Sequence, residues 1–376
     1  MRYRRFGKTH LSLSVFSLGT MRCLASAATA RATIERAIAS GINHIETARG
    51  YGKSEEYLGS ALQDLSVPRE RVKITTKLPP VPDAETMRSW IEESLARLKL
   101  DFLDGLALHG LNTWEHLNWV LRPDGCMQAV REAVAAGKVK HVGFSTHAPL
   151  EIILAAIHTG LFEFVNLHYY YFFQRHAAAV QLATQKDLGV FIISPADKGG
   201  QLYAPPPTLE QLCHPLSPLT LNYRFLLADR RITTLSVGAA CPEELDKPLE
   251  SADRDDPLTP EEQDIFQRLE ERFERALGGD RCSQCNRCLP CPEAINIPEV
   301  LRLRNLAVAF DMSEFGQYRY RMFENAGHWF PGRRGDRCTD CGDCLPRCPE
   351  TLDIPSLLRD THRRLHGSPR RRLWQS

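Results

Sequence analysis

Residues 72–109 read VKITTKLPPVPDAETMRSWIEESLARLKLDFLDGLALH. VKITTK (72–77) and FLDGLALH (102–109) are short, largely apolar or β-branched runs of strand length. Between them, Met87, Trp90, Ile91, Ser94, Leu95 and Leu98 recur at helical intervals and fall on one face. Strand, amphipathic helix and second strand make one unit, and a helical crossover of this kind joins parallel strands.

Six more runs of the same kind flank this unit: VFSLGT (15–20), INHIETA (42–48), VKHVGFST (139–146), FVNLHYYY (164–171), VFIISP (190–195) and ITTLSVGA (232–239). Amphipathic stretches such as ATIERAIASG separate them, and Gly41, Gly137, Gly160 and Gly189 are expected to end helices. Eight strands alternating with helices over roughly 240 residues match an α/β fold of the (β/α)8 TIM barrel type. The competing open, doubly wound sheet wants a G-x-G-x-x-G turn after its first strand, and Gly19 followed by TMRCLAS does not supply one. Ahead of the barrel, YRRF and LSLSV read as a hairpin turning at Gly7-Lys8-Thr9.

After residue 242 the chain becomes charged and helical, with Thr259 as N-cap, Pro260 at the first helical position and Gly278-Gly279 as the stop. This places a barrel at 1–279 and a second, mainly helical domain at 280–376. A formal net charge of +1 over 376 residues excludes a polyanion-binding molecule, so no nucleic-acid partner is expected. The basic tail SPRRRLW reads as a solvated end. The opening MRYRRFGKTHLSLSV lacks the apolar core of a signal peptide, and no stretch of about 18 apolar residues occurs. A cytoplasmic protein without a membrane span is expected.

Of twelve cysteines, eight crowd into residues 282–348, while Cys23, Cys126, Cys213 and Cys241 are scattered and read as small buried hydrophobes. The clustered eight form two runs, Cys282-x2-Cys285-x2-Cys288-x2-Cys291-Pro292 and Cys338-x2-Cys341-x2-Cys344-x3-Cys348-Pro349. Three thiolates at three-residue spacing wrap one face of a cubane. A fourth before proline reaches the other cluster in two-cluster ferredoxins. Two [4Fe-4S] clusters are therefore expected, one on Cys282, Cys285, Cys288 and Cys348, the other on Cys338, Cys341, Cys344 and Cys291. A pair of zinc sites is the alternative, but zinc usually takes two CxxC pairs separated by a longer loop. Residues 281–376 hold sixteen Arg, no Lys and eleven acidic residues. That excess suits a negatively charged core and offers donors to its sulfurs. The 46 intervening, mainly helical residues resemble helical ferredoxin domains.

Polar groups stand where successive barrel strands end: Glu46 and Tyr51 after the second, Lys77 at the third, His109 at the fourth. Barrel enzymes place catalytic groups at this mouth. A phenol titrates near 10, and an adjacent buried ammonium is expected to lower that value, with Glu46 holding the lysine. A histidine can orient a carbonyl oxygen or share its proton. The aromatic run Tyr169–Phe173 is expected to alternate between barrel packing and pocket lining, and Lys198 in ADKGG is a candidate anion contact.

The pattern E-T-A-x-x-Y-G-x-S-E, the strand-ending Lys and L-H, the opening R-x-F-G-K-T and the late VGA-x-x-PEEL resemble the aldo/keto reductase family over residues 1–275. The whole chain looks like its bacterial subgroup with a fused ferredoxin-type domain. The resemblance implies Tyr51 as general acid, Lys77 as its partner, His109 as carbonyl orienter and Glu46, where the family has Asp, as the acidic member. It implies NADP(H), with Ser145 and Asn166 holding the carboxamide and Gly238 and Glu243 in the segment gripping the nucleotide. Ile193 replaces the family's stacking Tyr, and GAACPEELDKP lacks the usual basic residues and has Pro248 where Asn is common. The expected function is an oxidoreductase for a small carbonyl or alcohol substrate, with the clusters serving a one-electron partner protein. A nicotinamide moves two electrons and a cubane one, so a further carrier such as a flavin would bridge them, although no flavin motif is present. Two alternatives are a non-enzymatic electron-transfer or redox-sensing protein and an NADPH reductase with a structural zinc module.

Overall fold

A computed structural model describes residues 1–367; the tail SPRRRLW lies outside them. The chain divides into two compact units. One comprises Met1–Pro195 and Asn222–Pro257, the other Ala196–Leu221 and the chain from Leu258 onward. This division differs from the boundary expected at residue 279 in two ways. The capped helix Pro260–Leu277 belongs to the second unit, and so does the segment following the seventh barrel strand.

In the first unit, β1 (Tyr3–Arg5) and β2 (Ser12–Ser14) form an antiparallel hairpin. The barrel strands are β3 (Phe16–Gly19), β4 (His44–Glu46), β5 (Lys73–Leu78), β6 (Leu103–His109), β7 (Val139–Ser145), β8 (Phe164–Leu167), β9 (Gly189–Ile192) and β10 (Thr234–Val237). All eight pair in parallel, and β10 closes onto β3, giving the (β/α)8 barrel. The register sets Glu46 opposite Thr75, His109 opposite Ser145, and Ser145 opposite Asn166. The helix Ala84–Leu98, capped by Asp83 on Thr86 N, buries Met87, Ile91, Ser94, Leu95 and Leu98, the face its spacing implied.

At the N-terminal end of the strands the hairpin delivers Phe6 and Leu13 into a core with Ala107, Phe164, Phe191 and Ile193. A Cβ at Gly143 would strike the Phe164 ring and one at Gly189 the Phe6 ring, so both glycines make room for aromatics. Gly189 is therefore the first residue of β9 and not a helix stop; Asp187 takes the left-handed conformation there (φ 54°). Above the aromatic layer, Ser17, His44, Thr75 and Thr234 form a buried polar layer. His44 Nδ1 lies 2.7 Å from Ser17 Oγ and Nε2 lies 2.9 Å from Thr75 Oγ1, while Ser17 and Thr234 hydroxyls are 2.7 Å apart.

The aromatic run also differs from expectation. β8 stops at Leu167, so Tyr169–Phe173 has left the sheet and does not alternate. Tyr169 and Tyr170 are both buried, and Tyr170 and Phe173 exchange backbone hydrogen bonds.

The second unit is helical. Thr259 and Glu262 form a reciprocal capping box, with Pro260 at the first helical position. The central helix Ile297–Phe310 is buried on nearly every side, between Pro260–Leu277, Ser313–Tyr320 and Ile354–Leu365. Its buried arginines are paired: Arg302 with Glu299 at 2.7 Å, Arg304 with Asp360 at 2.8 Å and Asp280 at 3.1 Å. Pairing satisfies the cost of burying such charges.

Candidate active site and cysteine centre

Glu46 and Lys77 come from neighbouring strands, are both buried, and form an ion pair. Ser236 on β10 donates to Glu46 Oε1 at 3.4 Å. Gly19 leaves room for this contact, since a Cβ there would stand 2.5 Å from Ser236 Oγ and 3.2 Å from Glu46 Oε1. The loop that carries Tyr51 is pinned at both ends. Arg49 N donates to Lys77 O at 3.1 Å, and the Ser54 hydroxyl bonds Thr20 Oγ1 at 2.6 Å and Thr47 Oγ1 at 2.9 Å. The half-buried Tyr51 ring then meets His109 edge-on, with centroids 5.6 Å apart and planes at 87°. The Lys77 ammonium lies 4.9 Å from its centroid.

The four candidate groups thus stand together. Burial pushes the Tyr51 phenol upward, opposite to the lowering expected from the Lys77 ammonium beside its ring.

Ser145 and Asn166 lie side by side at the ends of β7 and β8, next to His109, and both are buried. Neither polar atom of the Asn166 amide has a hydrogen-bond partner among the described residues. A buried amide without partners is costly unless a ligand completes it. Two residues on, past the ends of both strands, His147 Nε2 lies 3.3 Å from His168 Nε2. His168 Nδ1 lies 2.5 Å from the Tyr170 hydroxyl, which donates to Ile193 O at 2.5 Å.

After β10, Gly238 O accepts from Arg22 at 2.9 Å. Glu243 is exposed, and a hydrogen bond from the Cys241 thiol holds its carboxyl below the usual value. The neighbouring Glu244 receives both Arg22 (2.6 and 3.0 Å) and the Ala240 N–H (3.0 Å). Lys198 belongs to the second unit, where burial and then Arg319 lower its ammonium to about 7.

The eight clustered cysteines of the second unit stand around two cavities. One is lined by Cys282, Cys285, Cys288 and Cys348. The other is lined by Cys338, Cys341, Cys344 and Cys291. Each run thus contributes three thiols to one cavity and its last, proline-preceding thiol to the other, in the crossed arrangement that the spacing implied. Burial, then Cys282 and Cys285, push the Cys288 thiol up to about 12. Bound as thiolates, four such groups would be offset by a cationic centre.

The family model described as "Aldo/keto reductase family" matches residues 16–204, which is half of the chain. The chain belongs to the aldo/keto reductase family. The model described as "4Fe-4S dicluster domain" matches residues 281–352. Among curated relatives, 6-dehydroglucose reductase of Novosphingobium aromaticivorans is 31% identical over 38% of this chain and 51% of its own length. L-galactose dehydrogenase of Arabidopsis thaliana is 30% identical over 57% of this chain and 70% of its own. Among solved structures, aldo-keto reductase AKR11C1 from Bacillus halodurans (holo form) has a TM-score of 0.62 at 21% identity, covering 71% of this chain and 95% of that one. That likeness shows the fold.

This aldo/keto reductase is an oxidoreductase, so the reading as a non-enzymatic docking body falls away. No helix among its described residues is long and apolar enough to cross a membrane. Sequence reasoning missed Ser236, the histidine pair and Glu244. Ser236 had a signal: it shares a strand face with the buried Thr234. The histidine pair follows only from β7 and β8 being neighbours.

Proposed function

We propose that this aldo/keto reductase interconverts a carbonyl and an alcohol at its barrel mouth and relays electrons through two [4Fe-4S] clusters. The observation that carries the reading is the grouping at Tyr51, whose ring has the Lys77 ammonium 4.9 Å from its centroid and the His109 ring packed T-shaped at 5.6 Å. Tyr51 gives its proton to the oxygen of the carbonyl as that oxygen gains charge, and takes it back in the reverse direction. Lys77, held by Glu46, faces the ring and offsets the negative charge left on the phenol. His109 orients the oxygen.

A nicotinamide bound at this mouth would supply hydride. Its carboxamide suits Ser145 and the unpartnered Asn166 amide. The far end of a nucleotide would meet Gly238 and Glu243. There Arg22 and the Ala240 N–H are both taken by Glu244, which leaves a 2′-phosphate poorly served. NAD(H) therefore suits this rim better than NADP(H).

Cys282, Cys285, Cys288 and Cys348 would hold one cluster, and Cys338, Cys341, Cys344 and Cys291 the other. Bound clusters pass electrons singly, whereas a hydride already carries both electrons that a carbonyl takes up, so a carrier able to move one or two electrons, such as a flavin, would have to join the barrel to the clusters and to a one-electron partner protein beyond them. A reducing, cytoplasmic setting keeps such thiols available. Two relatives are named for sugars, 6-dehydroglucose and L-galactose, which makes hydroxylated carbonyl compounds the first substrate class to try.

The test uses anaerobically purified protein. We expect about eight irons and eight sulfides per chain, an absorption that dithionite bleaches, and sugar-carbonyl reduction with NADH exceeding that with NADPH. A colourless protein with about two zincs sinks the cluster assignment, and turnover unchanged in Tyr51→Phe sinks the barrel assignment.

A further inference from the structure

The two cysteine cavities do not carry the same charge. The first is lined by exposed Glu350 beside the polar Ser283 and Asn286. The second is lined by Arg347, and by Glu293, whose carboxylate pairs with Arg333 at 3.4 Å. Other charges near the runs are offset or solvated. Asp340 is held by Arg359 at 2.5 Å, and exposed Arg287 lines neither cavity.

Arg347 is also placed by two hydrogen bonds. Its Nε donates to Asp343 O at 2.7 Å and its Nη2 to Pro290 O at 3.0 Å. Each of these carbonyls belongs to the peptide group whose N–H is that of the following cysteine, Cys344 in one case and Cys291 in the other. Both cysteines line the second cavity. A cation bound to the carbonyl polarises the peptide and strengthens its N–H as a donor. Stronger donors and a nearby positive charge both favour the reduced, more negative state of an iron–sulfur centre. No equivalent cation lines the first cavity among the described residues, where Glu350 acts in the opposite direction.

We infer that Arg347 fixes the order of reduction, making the cluster held at the second cavity the first to accept an electron and the one at the first cavity the harder to reduce. The inference rests on the two-cluster reading above. Arg347 is a positioning residue here: it acts through two peptide groups and its charge, not on substrate.

The experiment is an anaerobic redox titration of the full-length, cluster-loaded protein, followed by electron paramagnetic resonance. Two separable reduction steps are expected. In Arg347→Gln the earlier step moves to lower potential while the later one stays, so the gap narrows. Arg347→Lys, which keeps the charge, restores most of the gap. Glu350→Gln raises the later step alone, and it serves as the independent arm should Arg347→Gln fail to load both clusters. A gap unchanged in Arg347→Gln and Glu350→Gln overturns the inference, and so does an equal shift of both steps. Wild-type protein with fewer than two clusters overturns the underlying reading instead.

Discussion

The barrel and the cysteine unit reach buried polarity by different routes. In the barrel, position follows from the ladder: β4, β5 and β6 end side by side, so Glu46, Lys77 and His109 arrive together whatever lies between them in sequence. Among the described residues of the second unit no sheet does this. Position follows from cysteine spacing along the chain, and arginine–carboxylate pairs brace the result. A ladder builds a site that survives without its ligand, whereas a loop of thiols depends on what it holds.

That contrast can be broken experimentally. The largest effect should come from stripping iron with a chelator. Metal binding is folding energy in such loops, so thermal melting by circular dichroism should separate into an early loss of the second unit and a late barrel transition. A single unchanged transition would erase the distinction. Next, Tyr51→Phe should lower turnover by about 10²–10⁴-fold, with iron content and melting unaltered, as read by steady-state kinetics beside metal analysis.

Smaller effects probe the supports. His44→Ala empties the polar layer and leaves Ser17 and Thr75 hydroxyls short of a partner, at a cost of about 2–4 kcal/mol to the barrel by denaturant unfolding. Burial holds the His44 imidazole down at about 4, against 6.5 ordinarily. The unfolded chain therefore takes up this proton first. The stability from neutral His44 is full above 6.5 and drains as pH falls toward 4. His44→Asn should flatten that part of the barrel's pH profile. Smallest is Glu324→Gln. Glu324 receives Arg337 at 2.8 Å and Arg334 at 2.9 Å, and hydrogen bonding from Arg337 leads in holding it down at about 2. Its contribution is present above the ordinary value of 4.5 and lost as pH falls toward 2. With the carboxylate open to solvent and its pairs screened, we expect about 0.5–1 kcal/mol lost from the second unit at pH 7, and a shrinking deficit on acidification.

Sequence legibility split along the same line. Every barrel-strand run overlapped an observed strand, because a parallel strand buried on both faces advertises itself as an apolar stretch. The N-cap at Thr259 was equally plain. Gly189 misled because a glycine that admits Phe6 reads the same as one that ends a helix. Tyr169–Phe173 misled because aromatics suit strands and buried loops alike. At the site, residue types and strand ends located Glu46, Tyr51, Lys77 and His109. The direction of the Tyr51 shift needed burial, which no spacing encodes. The pairing of thiols into cavities was written in the two runs, but Arg347 was not, since its partners lie in both.

The assignment of Ala196–Leu221 to the second unit bears on how such a protein can be taken apart. The polypeptide crosses from one unit to the other, returns to lay down β10, and crosses again at Leu258. A gene cut after Pro257 would leave the barrel product carrying a twenty-six-residue fragment of a body that is no longer there. Its buried side chains, Leu202, Leu209 and Cys213 among them, would then face water. The cysteine-rich piece made alone would lack the same stretch. The two parts are consecutive in the family models yet interleaved in the chain, so neither can be moved to a new host as an intact cassette.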